Sequence, residues 1–348
     1  MHMTLKIGLI GCGGIMQPHV EGWKAIPQRA QVVAVADISE ENARDRVAQL
    51  GQPARIYQDY HELLADDEVD AVDIALPHHL HRDAIVAAAQ AGKHVMSEKP
   101  LCLNLEEASD IADAVRASGV TMMAGHNQIF YPSVMYAKQM LLEGDLGQVY
   151  MIDSIDAGAR RRSLSRNKAA WGQEPERRET WRSDPAKMGG GELIDTGYHP
   201  AYRLLFLAGE SPVEVSAVLG TYRLPLERED TANVLAKYAD GRTGRILTSW
   251  GLRAPGARPT VFNIMAEAGQ LWGEMDKLYY QPVGFQAPAT IDFPGWDYGR
   301  TFAAAIAHFV EAIEGGFEPL HSYREATETL RLILAAYRSV EEGTVVKL

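Results

Sequence analysis

The stretch VDAVDIALPHHLHRDAIVAAAQAGKHVMSEKPL, Val69 to Leu101, holds a strand, a helix and a second strand in one pass. An apolar run ends at Pro77. A segment with helical spacing follows from His81 and stops at Gly92, and a second apolar run begins at His94. The same alternation extends in both directions. Upstream are "LKIGLIG" (Leu5–Gly11), "AQVVAVAD" (Ala30–Asp37) and the helical "EENARDRVAQLG" (Glu40–Gly51); downstream, "LEEASDIADAVRASGVTMMAGHN" repeats the pattern. Strands alternating with helices of this length imply βαβ units, hence an α/β fold with a doubly wound parallel sheet. Such a sheet binds ligands at the carboxyl ends of its strands.

Composition sets the outer bounds. A chain of 348 residues exceeds what one hydrophobic core usually serves, so two domains are expected, with the boundary after residue 125: 1–125 and 126–348. The net charge of −12 argues against nucleic acid or an anionic membrane as partner. No apolar run approaches a membrane span, and the N-terminus lacks the features of a signal peptide. Two cysteines, Cys12 and Cys102, cannot make a disulfide framework, and a reducing, cytoplasmic setting is expected.

The loop "GCGGIM", Gly11 to Met16, follows a strand and opens a helix. Gly11 permits a tight turn, Gly13 lets the backbone approach a pyrophosphate, and the helix N-terminus behind Gly14 and Ile15 supplies donors. Met16 stands where a third small residue is usual, so helix and strand must pack less closely there. A glycine-rich turn without ligand has the same letters. Asp37 favours the binding reading, because it ends the second strand, where an acid accepts hydrogen bonds from the adenosine ribose. Ile38 follows it, not a cation that would neutralise a 2′-phosphate, so NAD is expected over NADP.

Lys99 ends a central parallel strand and precedes Pro100, which restricts the conformation of the residue before it. The lysine is thereby aimed. Glu98 beside it either pairs with a neighbour or lies near the nicotinamide. His78, His79 and His81 crowd into "HHLH", but one element cannot place them tetrahedrally around a metal, and no metal is expected.

Val69 to Leu101, above all the EKP tripeptide after "AGKHV", resembles the signature of the Gfo/Idh/MocA oxidoreductases, and the resemblance covers essentially the whole chain. It implies an N-terminal Rossmann domain and a C-terminal α/β domain with a large open, mainly antiparallel sheet. It further implies NAD(P)-dependent redox chemistry on sugars or cyclitols. Leu76, Pro77 and His78 become a cofactor-side loop, with His81 behind it, and Asn127 in "GHNQIFYP" a cofactor or substrate contact. The second family motif is "GGGELIDTGYHP", Gly189 to Pro200. Its Asp195 and His199 are four residues apart and are expected on one face of a single helix, the carboxylate orienting the imidazole. Tyr202 stands where relatives often carry an aspartate.

From about Tyr150 the pattern becomes strands joined by turns, closed by two helices. The basic stretch 159–187 reads either as a solvated loop or oligomer contact, or as a lid in which Trp171 or Trp181 stacks on a sugar and Arg162 or Arg182 bonds its hydroxyls. The expected chemistry has a substrate hydroxyl between the nicotinamide, Lys99 and His199. Which of the two accepts the proton stays open. Association through the open sheet is expected to give a homodimer or homotetramer. A redox-neutral relative that uses NAD transiently, or a non-catalytic sensor of NAD or sugar, are the alternatives; a sensor need not keep Lys99, Asp195 and His199.

Overall fold

The computed structural model describes residues 4–157, 181–224, 226–252 and 260–348. In chain order the first elements are β1 (Leu5–Ile10), α1 (Met16–Lys24), β2 (Ala30–Ala36), α2 (Glu40–Leu50), β3 (Arg55–Tyr57), α3 (Tyr60–Leu64), β4 (Ala71–Ile74), α4 (His81–Gln90), β5 (His94–Ser97), α5 (Leu105–Ser118) and β6 (Met122–Ala124). The six strands form one parallel sheet in the order β3-β2-β1-β4-β5-β6. The order reverses between β1 and β4, which makes that gap the ligand crevice of a Rossmann sheet. Ile7, Leu9, Val35, Val72, Ile74, Val95 and Met123 are fully buried, as strands covered on both faces must be. Helix ends follow local chemistry. Ser39 caps α2 and Asn104 caps α5, while Gly51 and Gly119 close the same helices at φ 68° and 69°.

The remaining elements are α6 (Pro132–Glu143), β7 (Val149–Ala157), α7 (Pro185–Met188), α8 (Glu192–Asp195), α9 (Tyr198–Ala208), β8 (Glu214–Gly220), β9 (Thr231–Lys237), β10 (Thr243–Ser249), β11 (Phe262–Ala266), β12 (Gly269–Gly273), β13 (Lys277–Pro282), β14 (Ala289–Asp292), α10 (Tyr298–Gly315), α11 (Tyr323–Glu342) and β15 (Val346–Lys347). A nine-stranded sheet runs β14-β13-β12-β11-β7-β10-β9-β8-β15 and is antiparallel except at the β7–β10 pair. Helix α9 packs on β7 and β10. The fully buried Arg203 of α9 is satisfied there by Ser154 Oγ at 3.1 Å and the Ile155 carbonyl at 2.8 Å.

Two compact units result, Met1–Tyr131 with Gly295–Leu330, and Pro132–Pro294 with Arg331–Leu348. The first is discontinuous because α10 covers α1. Gly22 allows that approach, since a Cβ there would lie 2.5 Å from Ile306, and Trp23 meets Phe309 edge-on at 6.5 Å. No helix among the described residues is long and apolar enough to cross a membrane.

Candidate active site

In the first unit the strand ends bring several of the expected residues together. Gly11 takes φ +86°, and a Cβ there would stand 2.5 Å from the Ala75 carbonyl oxygen, so glycine is needed twice over where the loop passes the end of β4 beside Leu76. At Gly13 a Cβ would meet nothing within 4 Å, and Gly14 and Ile15 are exposed. Helix α1 has no side-chain cap and no acid in its first turn, and its first two amides make only long turn bonds back into the glycine loop, Met16 N to Gly13 O at 3.1 Å and Gln17 N to Gly14 O at 3.4 Å. Asp37 is fixed beside this loop, with Oδ2 accepting from Cys12 N at 2.6 Å and Oδ1 from Ser39 N at 2.8 Å. A carboxylate has about four acceptor positions, so two stay free for ribose hydroxyls. An open glycine cradle, an uncapped helix start and an oriented acid fit a dinucleotide.

The lysine turn lies two strands away. Lys99 is half-buried, the Lys99–Pro100 peptide is cis, and Lys99 N donates to Glu98 Oε2 at 3.1 Å. Glu98 is itself buried, and its Oε1 lies 3.0 Å from His19 Nε2. Burial alone would raise the Glu98 pKa, but His19 and Lys99 outweigh it and hold the carboxyl below its usual range. His81 is fully buried and bridges the Pro100 carbonyl at 2.6 Å and the Leu76 carbonyl at 2.8 Å, tying the two loops together. Burial pushes its pKa down against the pull of those carbonyls. His78 is buried, its ring centroid 5.9 Å from that of His81. Asn127 is only 2% exposed and its amide donates to Thr301 Oγ1 of α10 at 2.8 Å, which occupies one face of the group expected to touch a ligand.

In the second unit the "ELIDTGYHPAYRLLFLA" stretch is not the single helix its spacing predicts. Helix α8 ends at Asp195 and α9 begins at Tyr198. The backbone stays right-handed between them, but the ladder slips: Gly197 N donates five residues back to Glu192 O at 2.9 Å, and His199 N three back to Thr196 O at 3.0 Å. Gly197 is the cause, since its Cα passes so close to Leu193 O that a Cβ would lie 2.6 Å from it. Asp195 is buried and accepts from Arg182 Nε at 3.0 Å, and the Arg182 guanidinium stacks 4.3 Å over Trp181. Trp181, Arg182 and Asp195 thus form one cluster. His199 Nδ1 pairs with Tyr202 OH at 2.8 Å, so the tyrosine that departs from the family pattern holds the imidazole. Arg162 and Trp171 lie outside the described residues, as does most of the 159–187 stretch.

Sequence reasoning passed over three buried polar residues here. His19 and Asp73 are each 0% exposed, and His19 Nδ1 lies 2.8 Å from Asp73 Oδ2. Asp73 was visible as an acid inside the otherwise apolar "AVDIAL". Glu192 is fully buried next to the motif glycines, accepts from Thr248 Oγ1, and burial raises its pKa well above the carboxylate range. Its Oε2 has no hydrogen-bond partner among the described residues. Among those residues no group of three or more His, Cys, Asp or Glu is placed to hold a metal ion.

Comparison with known proteins matches residues 5–126 to the family model described as "Oxidoreductase family, NAD-binding Rossmann fold". Residues 134–272 match the model of the GFO/IDH/MocA C-terminal domain. Among curated proteins, the chain is 26% identical over 355 residues to a myo-inositol 2-dehydrogenase of Thermotoga maritima, covering 99% of this chain and 98% of the relative. It is 29% identical over 353 residues to an inositol 2-dehydrogenase of Rhizobium meliloti, covering 98% of each. Among solved structures, an NAD-binding oxidoreductase from Klebsiella pneumoniae superposes with TM-score 0.87 at 26% identity, covering 99% of each chain.

Proposed function

Because the chain belongs to the Gfo/Idh/MocA oxidoreductase family, we propose that it oxidises a secondary or anomeric hydroxyl of a sugar, sugar derivative or cyclitol. The observation that carries the proposal is the strand-end arrangement of the first unit: an open glycine cradle, Asp37 fixed beside it, and Lys99 held by its own backbone at the same sheet edge. NAD, when bound, supplies the hydride acceptor. The Gly13 and Gly14 backbone at the start of α1 would hold its pyrophosphate, and Asp37 its adenosine ribose.

A substrate hydroxyl loses its proton as its hydride leaves, and a positioned cation lowers the cost of the developing alkoxide. Lys99 supplies that cation. In the second unit Tyr202 steadies His199 through Nδ1, and Arg182, stacked on Trp181, holds Asp195; these are the groups the reading assigns to proton transfer and sugar contact. A panel of sugars, inositols and sugar acids with NAD⁺ tests the activity. Wild-type protein that makes NADH with none of them, yet keeps tightly bound cofactor, would point to redox-neutral chemistry.

The same reading includes a homodimer or homotetramer in a cytoplasmic setting. One face of the nine-stranded sheet lies under α9. The other carries Val218 of β8 and Leu247 of β10, both opposite Asn233 of β9, with Leu235 of β9 opposite Arg245 and Met265 of β11 opposite Met151 of β7; Val218 is 65% and Leu235 55% exposed. A sheet face that leaves such apolar side chains exposed among polar ones is the surface a second copy covers.

A further inference from the structure

His19 sits one turn inside α1, the helix that opens at the glycine loop, and it is 0% exposed. Its Nδ1 lies 2.8 Å from Asp73 Oδ2 and its Nε2 3.0 Å from Glu98 Oε1. A neutral imidazole carries one N–H and one lone pair, so between two carboxylates it would turn a lone pair on one of them. The doubly protonated ring donates to both. Burial by itself disfavours that charge, but the pull of Asp73 and then of Glu98 overcomes it and raises the His19 pKa to about 10. His81 shows the converse, since its two carbonyl acceptors do not overcome burial. Around the ring, Trp23 Nε1 donates to the same Asp73 oxygen at 2.8 Å, and the Phe302 ring of α10 lies 4.9 Å away. Glu98 passes its second oxygen to Lys99 N at 3.1 Å. Hydrogen bonds therefore run without a gap from Asp73 through His19 and Glu98 to the backbone of Lys99.

We propose that His19 is a positioning residue, a buried cation that keeps Glu98 ionised and aimed so that the Lys99 backbone is held for the reaction. The inference rests on the reading of Lys99 as a catalytic residue. Without the imidazolium, Asp73 and Glu98 are two buried carboxylates with no cation between them. Glu98 then takes up a proton or turns away, and its grip on Lys99 N is lost. His19 itself, enclosed by α1, β4 and α10, exchanges nothing with a substrate.

The test compares His19→Gln with Trp23→Phe, each in wild-type protein and on the Lys99→Met background. Trp23→Phe removes one bond to Asp73 and leaves the His19–Glu98 contact alone. His19→Gln is expected to lower kcat by roughly 10- to 100-fold, the usual loss when a group that orients a catalytic residue is removed. KM and the NAD⁺ dissociation constant should stay within about threefold, and Lys99→Met should mask the loss, because groups acting as a unit are non-additive. Trp23→Phe should keep kcat within about threefold even where its melting temperature falls. The inference is overturned if kcat follows melting temperature equally in the two variants, or if the His19→Gln and Lys99→Met losses multiply. Should His19→Gln not fold, Glu98→Gln carries the same comparison, because it keeps the shape and removes the charge. Full turnover in Lys99→Met would sink the assignment of the lysine; impaired Lys99→Met with intact His19→Gln would sink the positioning role alone.

Discussion

Cofactor choice rests on one carboxylate, and Asp37→Ala isolates it. Asp37 stands at the end of β2 with both oxygens fixed by backbone amides, and Ile38 beside it is 93% exposed and carries no charge. For a 2′-phosphate in the place of the ribose hydroxyl, a charge separation of about 5 Å sets the scale of the repulsion. At that separation each unit of charge costs about 0.8 kcal/mol in a water-like medium, and more where the dielectric falls. A phosphate carrying nearly two charges is thus disfavoured by about 1.5 kcal/mol, or about tenfold. The expected result is NAD⁺ binding at least about tenfold tighter than NADP⁺ in a fluorescence titration at low salt. In Asp37→Ala the gap should close to about threefold or less, while both cofactors bind more weakly because Cys12 N and Ser39 N lose their acceptor. Equal constants in the wild type, or an undiminished gap in the variant, would refute the reasoning.

Two glycines of the same loop should separate stability from binding. Gly11→Ala forces a Cβ against the Ala75 carbonyl at φ +86° and should cost more than about 2 kcal/mol in denaturant unfolding, whereas Gly13→Ala, which meets no atom, should melt like wild type yet bind NAD⁺ at least about tenfold more weakly. Glu192 gives a pH signature. Its folded-state pKa is raised, so its contribution to stability falls as pH climbs from the unfolded value of 4.5 towards the raised one, and Glu192→Gln should gain melting temperature over wild type progressively across that window. A constant difference at every pH would count against a buried neutral acid. For assembly, light scattering at micromolar concentration should give a dimer or tetramer, and Leu235→Lys in the exposed sheet face should lower the mass. A monomeric wild type would end that proposal.

The parallel sheet was legible because its strands are buried on both faces and read as largely apolar runs, some closed by a glycine or proline such as Gly11 or Pro77. The antiparallel character of the second sheet was legible too, from short strands spaced by turns such as Asp240-Gly241. The interruption between Asp195 and Tyr198 was not. Thr196 and Gly197 keep helical dihedrals, and the slip comes from how closely Gly197 passes Leu193, which spacing does not encode. Nor did the linear reading, with its division at 125, place residues 295–330 with the first unit, since an amphipathic helix reads alike whichever partner it covers. At the lysine turn, the sequence pointed to Lys99 and Glu98 but not to what holds them. The signal was present in two parts, His19 and Trp23 four apart on α1, and an acid at Asp73 within an apolar strand. Only the fold shows that they meet.

The central claim is net hydride transfer that depends on Lys99, and the most direct measurement is NADH absorbance for wild type and Lys99→Met across the panel of sugars, inositols and sugar acids. The account predicts sustained NADH formation by wild type with at least one member. It predicts that Lys99→Met, with its NAD⁺ affinity and melting temperature little changed, turns over roughly two to four orders of magnitude more slowly. A Lys99→Met enzyme that makes NADH within about threefold of the wild-type rate would contradict it.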